Sequence, residues 1–116
     1  MPISKEIILK NMREKRVVVL NVLAPAEFQK LHIAGSYSLS LTHDYSGFVQ
    51  EVKRKFGGDR VFVTYGSDYT NAIASNAAKI LRNNGVKAED FLGGMKEWNE
   101  AGFPVLGTQV KDKASI

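Results

Sequence analysis

A chain of 116 residues, 44% hydrophobic and 24% charged, is the size of one domain that can bury a core without disulfides or a metal. It holds no cysteine, which excludes disulfides, thiolate metal sites and thiol nucleophiles together. Its formal charge of +4 would suit a weak attraction to nucleic acid or acidic membranes. However, the cations are spread over 10–16, 53–55 and 111–113 without interleaved aromatic residues, so a solvated basic surface with no specific nucleic-acid partner is expected. The two histidines, His32 and His43, are too few to suggest a metal site, and no cofactor is expected. No apolar run is long enough to span a bilayer. The first residues also lack the basic start and apolar core of a signal peptide, so the expected address is cytoplasmic.

Ser4 is a suitable N-cap for a first helix in which Ile7, Ile8 and Met12 recur at helical spacing up to about Lys15. Val17 to Val22 is continuous rather than alternating, as in a strand buried on both faces. Pro25 suits the first turn of a short helix ending at Lys30, and His32-Ile33-Ala34-Gly35 then turns the chain. Ser36 to Leu41 alternates polar and apolar residues and predicts a short strand near the sheet's edge. His43-Asp44 leads into a helix to about Phe56, whose inner stripe is Phe48, Val49, Val52 and Phe56.

Val61 to Tyr65 is a second buried strand, and a helix from about Asn71 to Asn84 follows it. Ala74, Ala77 and Ala78 allow that helix a close approach to the sheet, while Ile73, Ile80 and Leu81 fill the remaining space. With Gly85 at C′, Val86 falls at C″ opposite Leu81 at C3; the same cap recurs at Gly102, with Phe103 facing Trp98. Glu89 to Leu92 is a last short strand, and Gly93-Gly94 opens a helix carrying Met95 and Trp98. This alternation predicts a single α/β domain over 1–106 in three layers, a parallel sheet of about five strands with helices on both faces, and a polar tail over 107–116.

In such a sheet, chemistry sits where strands end and helices begin, because the first helical N–H groups are unpaired there. Gly66, Ser67, Asp68, Tyr69, Thr70 and Asn71 are therefore the candidate site. An anion cradle is conceivable, but 66–78 holds no Lys or Arg and Asp68 is negative, so a loop capped by its own side chains is favoured over weak anion binding. A hydrolase would need Ser67 or Thr70 beside His32 or His43, with Asp44 or Asp68 orienting the imidazole. Tyr69 fits either the centre of a protein-binding surface or a cover over the loop.

Three segments resemble the rhodanese-like domains over nearly the whole chain. Asn21 to Phe28 followed by His32-Ile33-Ala34-Gly35-Ser36 is similar to D-V-R-x-x-x-E-[YF] and H-I-x-G-A. Leu92 to Trp98 followed by Ala101 to Val105 is similar to G-G-x-x-x-W and A-G-x-P-V. Val63-Thr64-Tyr65-Gly66 stands in the place of V-x-Y-C. The resemblance implies a loop cysteine that takes up sulfur as a persulfide, ringed by backbone N–H groups. Here Gly66 occupies that position, and Asn21 and Leu23 replace the usual Asp and Arg. Neither Gly66 nor a serine hydroxyl can carry a persulfide. The chain is accordingly read as a catalytically inactive member acting as a binding or regulatory module, with another protein docking on the Gly66 to Asn71 face. The alternatives are a thiosulfate or persulfide sulfurtransferase whose loop cysteine is absent from this chain, and the hydrolase above.

Overall fold

The computed structural model describes residues 3–57 and 59–110. In chain order these form α1 (Lys5–Arg13), β1 (Val17–Asn21), α2 (Pro25–Lys30), β2 (His32–Ile33), β3 (Tyr37–Ser38), α3 (Tyr45–Phe56), β4 (Val61–Tyr65), α4 (Ile73–Asn83), β5 (Lys87–Phe91), α5 (Gly94–Glu100) and β6 (Val105–Leu106). The main sheet is parallel, in the order β3-β1-β4-β5. β1 and β4, the two runs without polar alternation, hold the inner positions and pair in register from Val17↔Val61 to Asn21↔Tyr65. An edge position would leave one flank of such strands in water, losing about 25 cal/mol for each Å² of apolar surface exposed.

Strand alternation divides the core into two layers. Val18, Leu20, Val22 and Phe62 meet α3 through Phe48, Val49 and Val52, and α4 through Ala77, Ala78 and Leu81. On the other face Val19, Val63, Tyr65 and Phe91 pack on Ile8 of α1 and on Met95 and Trp98 of α5. Both expected glycine caps form. Val86 N–H donates to Leu81 C=O at 3.0 Å with Gly85 at φ 80°, and Phe103 N–H donates to Trp98 C=O at 3.2 Å with Gly102 at φ 77°. Among the described residues no helix is long and apolar enough to cross a membrane.

The differences from the sequence reading lie at the sheet's margins. The main sheet has four strands rather than about five, and the predicted strand Ser36–Leu41 shrinks to Tyr37–Ser38. Beyond Ser38 the ladder breaks: Leu39 N–H reaches Asn21 C=O and Leu41 N–H reaches Val22 C=O, two residues advancing against one, as at a bulge. The expected turn at His32–Ile33 instead pairs antiparallel with Val105–Leu106 in a separate two-stranded sheet. β5 begins two residues early, at Lys87, and α4 begins at Ile73. Residues 107–110 of the expected tail fold back, with Thr108 and Gln109 N–H donating to the Gln29 and Lys30 carbonyls that α2 leaves unpaired. The rest of that tail, 111–116, lies outside the described residues.

Beneath the candidate site, one buried hydroxyl joins two inner strands of the sheet to β2. Tyr65 Oη accepts from Asn21 Nδ2 at 3.1 Å and Ile33 N–H at 3.0 Å, and lies 2.8 Å from Ser36 Oγ. Ser36 Oγ donates its one proton to Ile33 C=O at 2.7 Å, so Tyr65 must be the donor to Ser36. Asn21 Oδ1 in turn accepts from Leu23 N–H at 3.0 Å. The network pins the ends of β1, β2 and β4 to one atom.

Replacing Tyr65 by Phe should leave the Asn21 amide and the Ile33 N–H buried without an acceptor, costing about 2–4 kcal/mol in urea unfolding. The pH dependence should change as well. Burial pushes the Tyr65 phenol above 10.0, outweighing its hydrogen bonds to Ser36, Ile33 and Asn21, which pull it down. Above that ordinary value the unfolded phenol ionises while the native one keeps its proton, so stability is lost as pH rises toward the raised native value. The melting temperature of wild type should therefore fall more steeply than that of Tyr65→Phe above about pH 10; parallel slopes would show that Tyr65 does not titrate differently in the two states.

Candidate functional site

The loop leaves the C-terminal end of β4 and is seated on α5. Gly66 and Ser67 C=O accept from Met95 and Lys96 N–H, each at 2.9 Å, which satisfies amides that a helix start leaves open. Gly94, at φ +62°, permits this contact: a methyl group there would lie 2.7 Å from Gly66 O and 2.9 Å from the Ser67 carbonyl carbon. The second glycine of Gly93-Gly94 is thus required both by its backbone angle and by the approach of the loop.

The loop's side chains bind one another. Asp68 Oδ1 accepts from Thr70 N–H at 2.9 Å and from Thr70 Oγ1 at 2.5 Å. Asn71 Nδ2 donates to Ser67 Oγ at 3.2 Å, and Asn71 Oδ1 accepts from Ile73 N–H at 3.0 Å. Asn71, one position before the N-cap Ala72, therefore satisfies the first amide of α4, while Asp68 braces the turn before it. Its bonds from the Thr70 hydroxyl and N–H hold the Asp68 carboxyl below the usual carboxylate range, and the charge of Lys96 acts in the same direction. The loop's own stretch offers no cation; the fold brings Lys96 from α5, which sequence reading missed because 28 positions separate it from Asp68. The only advance signal was its place just behind Gly93-Gly94. Tyr69 is 76% exposed and does not cover the loop.

The hydrolase constellation does not assemble. His32 Nδ1 lies 2.7 Å from Phe28 C=O and its ring stacks on Phe28 at 3.7 Å, while His43 is exposed before α3. Among the described residues neither imidazole bonds to Ser67 or Thr70, whose hydroxyls engage Asn71 and Asp68.

Gly66 itself is not in the left-handed region, so its backbone would admit any side chain. The surrounding space would not. A Cβ at Gly66 would lie 2.7 Å from Ile73 Cγ2 and 3.7 Å from Leu23 Cδ2. The first is a closer approach than carbon atoms tolerate, since their contact optimum is about 3.5–4.0 Å. It involves a β-branched side chain that has one strongly preferred rotamer in a helix.

A parallel α/β sheet with a strand–loop–helix turn at its C-terminal end, seated on a glycine-led helix, defines a class of small loop-centred domains. The rhodanese-like domain model matches residues 4–101, and the chain belongs to that family. Solved structures agree in fold. A full-length protein from Lactobacillus plantarum superposes with a TM-score of 0.77 at 21% identity, covering 91% of this chain and 87% of its own. The rhodanese-like domain of an Anabaena sp. protein gives 0.74 at 22%, covering 94% and 81%. A rhodanese-related protein from Thermoplasma volcanium gives 0.69 at 23%, covering 90% and 96%. No curated protein matches the chain in sequence.

If Ile73 fills the place of a side chain at position 66, Gly66→Ala should destabilise the domain by about 1–3 kcal/mol, the usual cost of overpacking. Combined with Ile73→Ala, it should cost clearly less than the two single changes summed. Urea unfolding of the four-member cycle measures the coupling, and additive costs would mean that the two positions do not compete for space.

Proposed function

We propose that this rhodanese-like domain does not transfer sulfur and serves as a binding or regulatory module, with the Gly66–Asn71 face as its docking surface for another protein. The observation that carries this reading is double: position 66 has no side chain, and Ile73 Cγ2 stands only 2.7 Å from where one would begin. Persulfide chemistry needs a thiolate, and the chain holds no cysteine. Tyr69 supplies an exposed aromatic of the kind that anchors protein interfaces. Leu92, 38% exposed, follows β5, whose end is in register with that of β4. Both side chains thus belong to the C-terminal end of the sheet. Weak anion binding at the loop is a secondary property of this reading, opposed by Asp68 and partly offset by Lys96. A cytoplasmic setting is part of the same proposal.

Cyanide-dependent thiocyanate formation from thiosulfate tests it. The wild-type chain should show none above background. Gly66→Cys alone should regain little, because its sulfur must displace Ile73, and Gly66→Cys with Ile73→Ala should exceed it by at least about tenfold, the effect of a 1.4 kcal/mol difference in barrier. Turnover by the unmodified chain would overthrow the non-catalytic reading. For the docking face, proteins from the source cell that are retained by immobilised wild type should be lost with Tyr69→Ala at unchanged melting temperature. Equal retention would move the interface elsewhere.

A further inference from the structure

The cations that are dispersed along the sequence are gathered by the fold at one end of the molecule. Val17, Val61 and Lys87 are aligned across β1, β4 and β5, so the three helix-to-strand junctions before them lie side by side, about 4.8 Å from strand to strand. These junctions, 13–16, 53–60 and 82–87, hold nine Lys and Arg against two acidic residues. The rest of the chain is more acidic than basic. Three helix C-termini point to this end, but at roughly −0.5 charge each they offset only a small part of it. The macrodipole also gives no account of Lys15, Arg16, Arg60 and Lys87, which follow the helix ends.

A groove of 290 Å³ opens at this pole, with Lys15, Arg60, Tyr37 and Phe56 among its walls. Lys15 and Arg60 are exposed and make no salt bridge among the described residues, whereas Arg16 is paired with Glu14 at 3.3 Å and Arg54 with Glu51 at 2.7 Å. Lys15 sits at the C′ position of α1 with φ 57°, where the other two caps of this type use glycine. Tyr37 is 52% exposed, and its ring is held edge-on by Phe56 at 5.0 Å, itself packed on buried Phe62 at 5.8 Å. An aromatic platform is thereby fixed beside Lys15 and Arg60.

We infer that this groove binds single-stranded nucleic acid, its phosphates held by Lys15 and Arg60 and a base stacked on Tyr37. Phosphate attraction alone would suit a duplex equally, but an exposed ring beside the cations is of use only to a strand whose base faces are uncovered. The surface lies at the pole opposite the Gly66–Asn71 loop, so it stands or falls independently of the function proposed there.

The test is fluorescence anisotropy of the full chain with short labelled oligo(dT) and oligo(U), titrated between about 50 and 200 mM KCl. Binding should weaken linearly with log salt, and the two oligonucleotides distinguish a DNA from an RNA preference. Arg60→Ala should reduce the salt slope by about 0.7, the value for one phosphate contact on a single strand. Tyr37→Leu, which keeps the contact to Phe56, should weaken binding roughly five- to hundred-fold without changing that slope. Lys15→Gly should lower affinity while raising the melting temperature, because it relieves the left-handed backbone; a structural role would move both the same way. Duplex bound as tightly as single strands, heparin or an acidic peptide bound as tightly as the oligonucleotides, anionic vesicles bound in their place, or no effect of Tyr37→Leu would each overturn the inference.

Discussion

Two hydrogen bonds hold the loop end of this domain in shape. They run from Met95 and Lys96 N–H to the carbonyls of Gly66 and Ser67. A loop of this length has little packing of its own, and its backbone polar groups must be satisfied by something rigid. The start of α5 does this, and Gly94 lets the two backbones approach closely enough for it. Below the loop, the Tyr65 hydroxyl fixes the ends of β1 and β4 with respect to β2. The loop is therefore supported from beneath and from one side by groups other than those that would perform chemistry.

The consequence is that the scaffold does not depend on a side chain at position 66. The loop and its α5 seat are both present, while position 66 carries no side chain and Ile73 Cγ2 lies 2.7 Å from where a Cβ would be. Leu23, where the family pattern has Arg, lies near the same point, so an apolar side chain lines the position rather than a cation. The fold is the family's, while the side chains at positions 23 and 66 depart from its pattern, and sites can vary on a common fold in this way.

Much of this was legible in the sequence because its signals are local. Unalternating apolar runs located both inner strands, the Ala74, Ala77 and Ala78 spacing located the inner face of α4, and Gly85 and Gly102 located two caps. The loop could be found from its place between strand and helix. Long-range pairings could not be found this way: two residues at His32–Ile33 meeting two at Val105–Leu106 leave no periodic trace, and the break after Ser38 depends on hydrogen bonds to β1. Within the site, the clash of Ile73 with a side chain at Gly66 follows from a three-dimensional approach across seven positions, and Lys96 reaches Asp68 only through the docking of α5. The basic pole was hidden for a related reason. Dispersed cations become neighbours only when parallel strands bring their junctions to one end.

On the proposed reading, position 66 is closed to chemistry by Ile73 as well as by the missing sulfur. A crystal structure of the Gly66→Cys variant beside that of wild type puts this to the test without relying on turnover. The introduced thiol side chain should force Ile73 out of its rotamer or lift the loop from α5, lengthening the Met95 to Gly66 hydrogen bond beyond its 2.9 Å in wild type. A cysteine side chain seated at position 66 in an otherwise unmoved loop, with Ile73 in place, would contradict it.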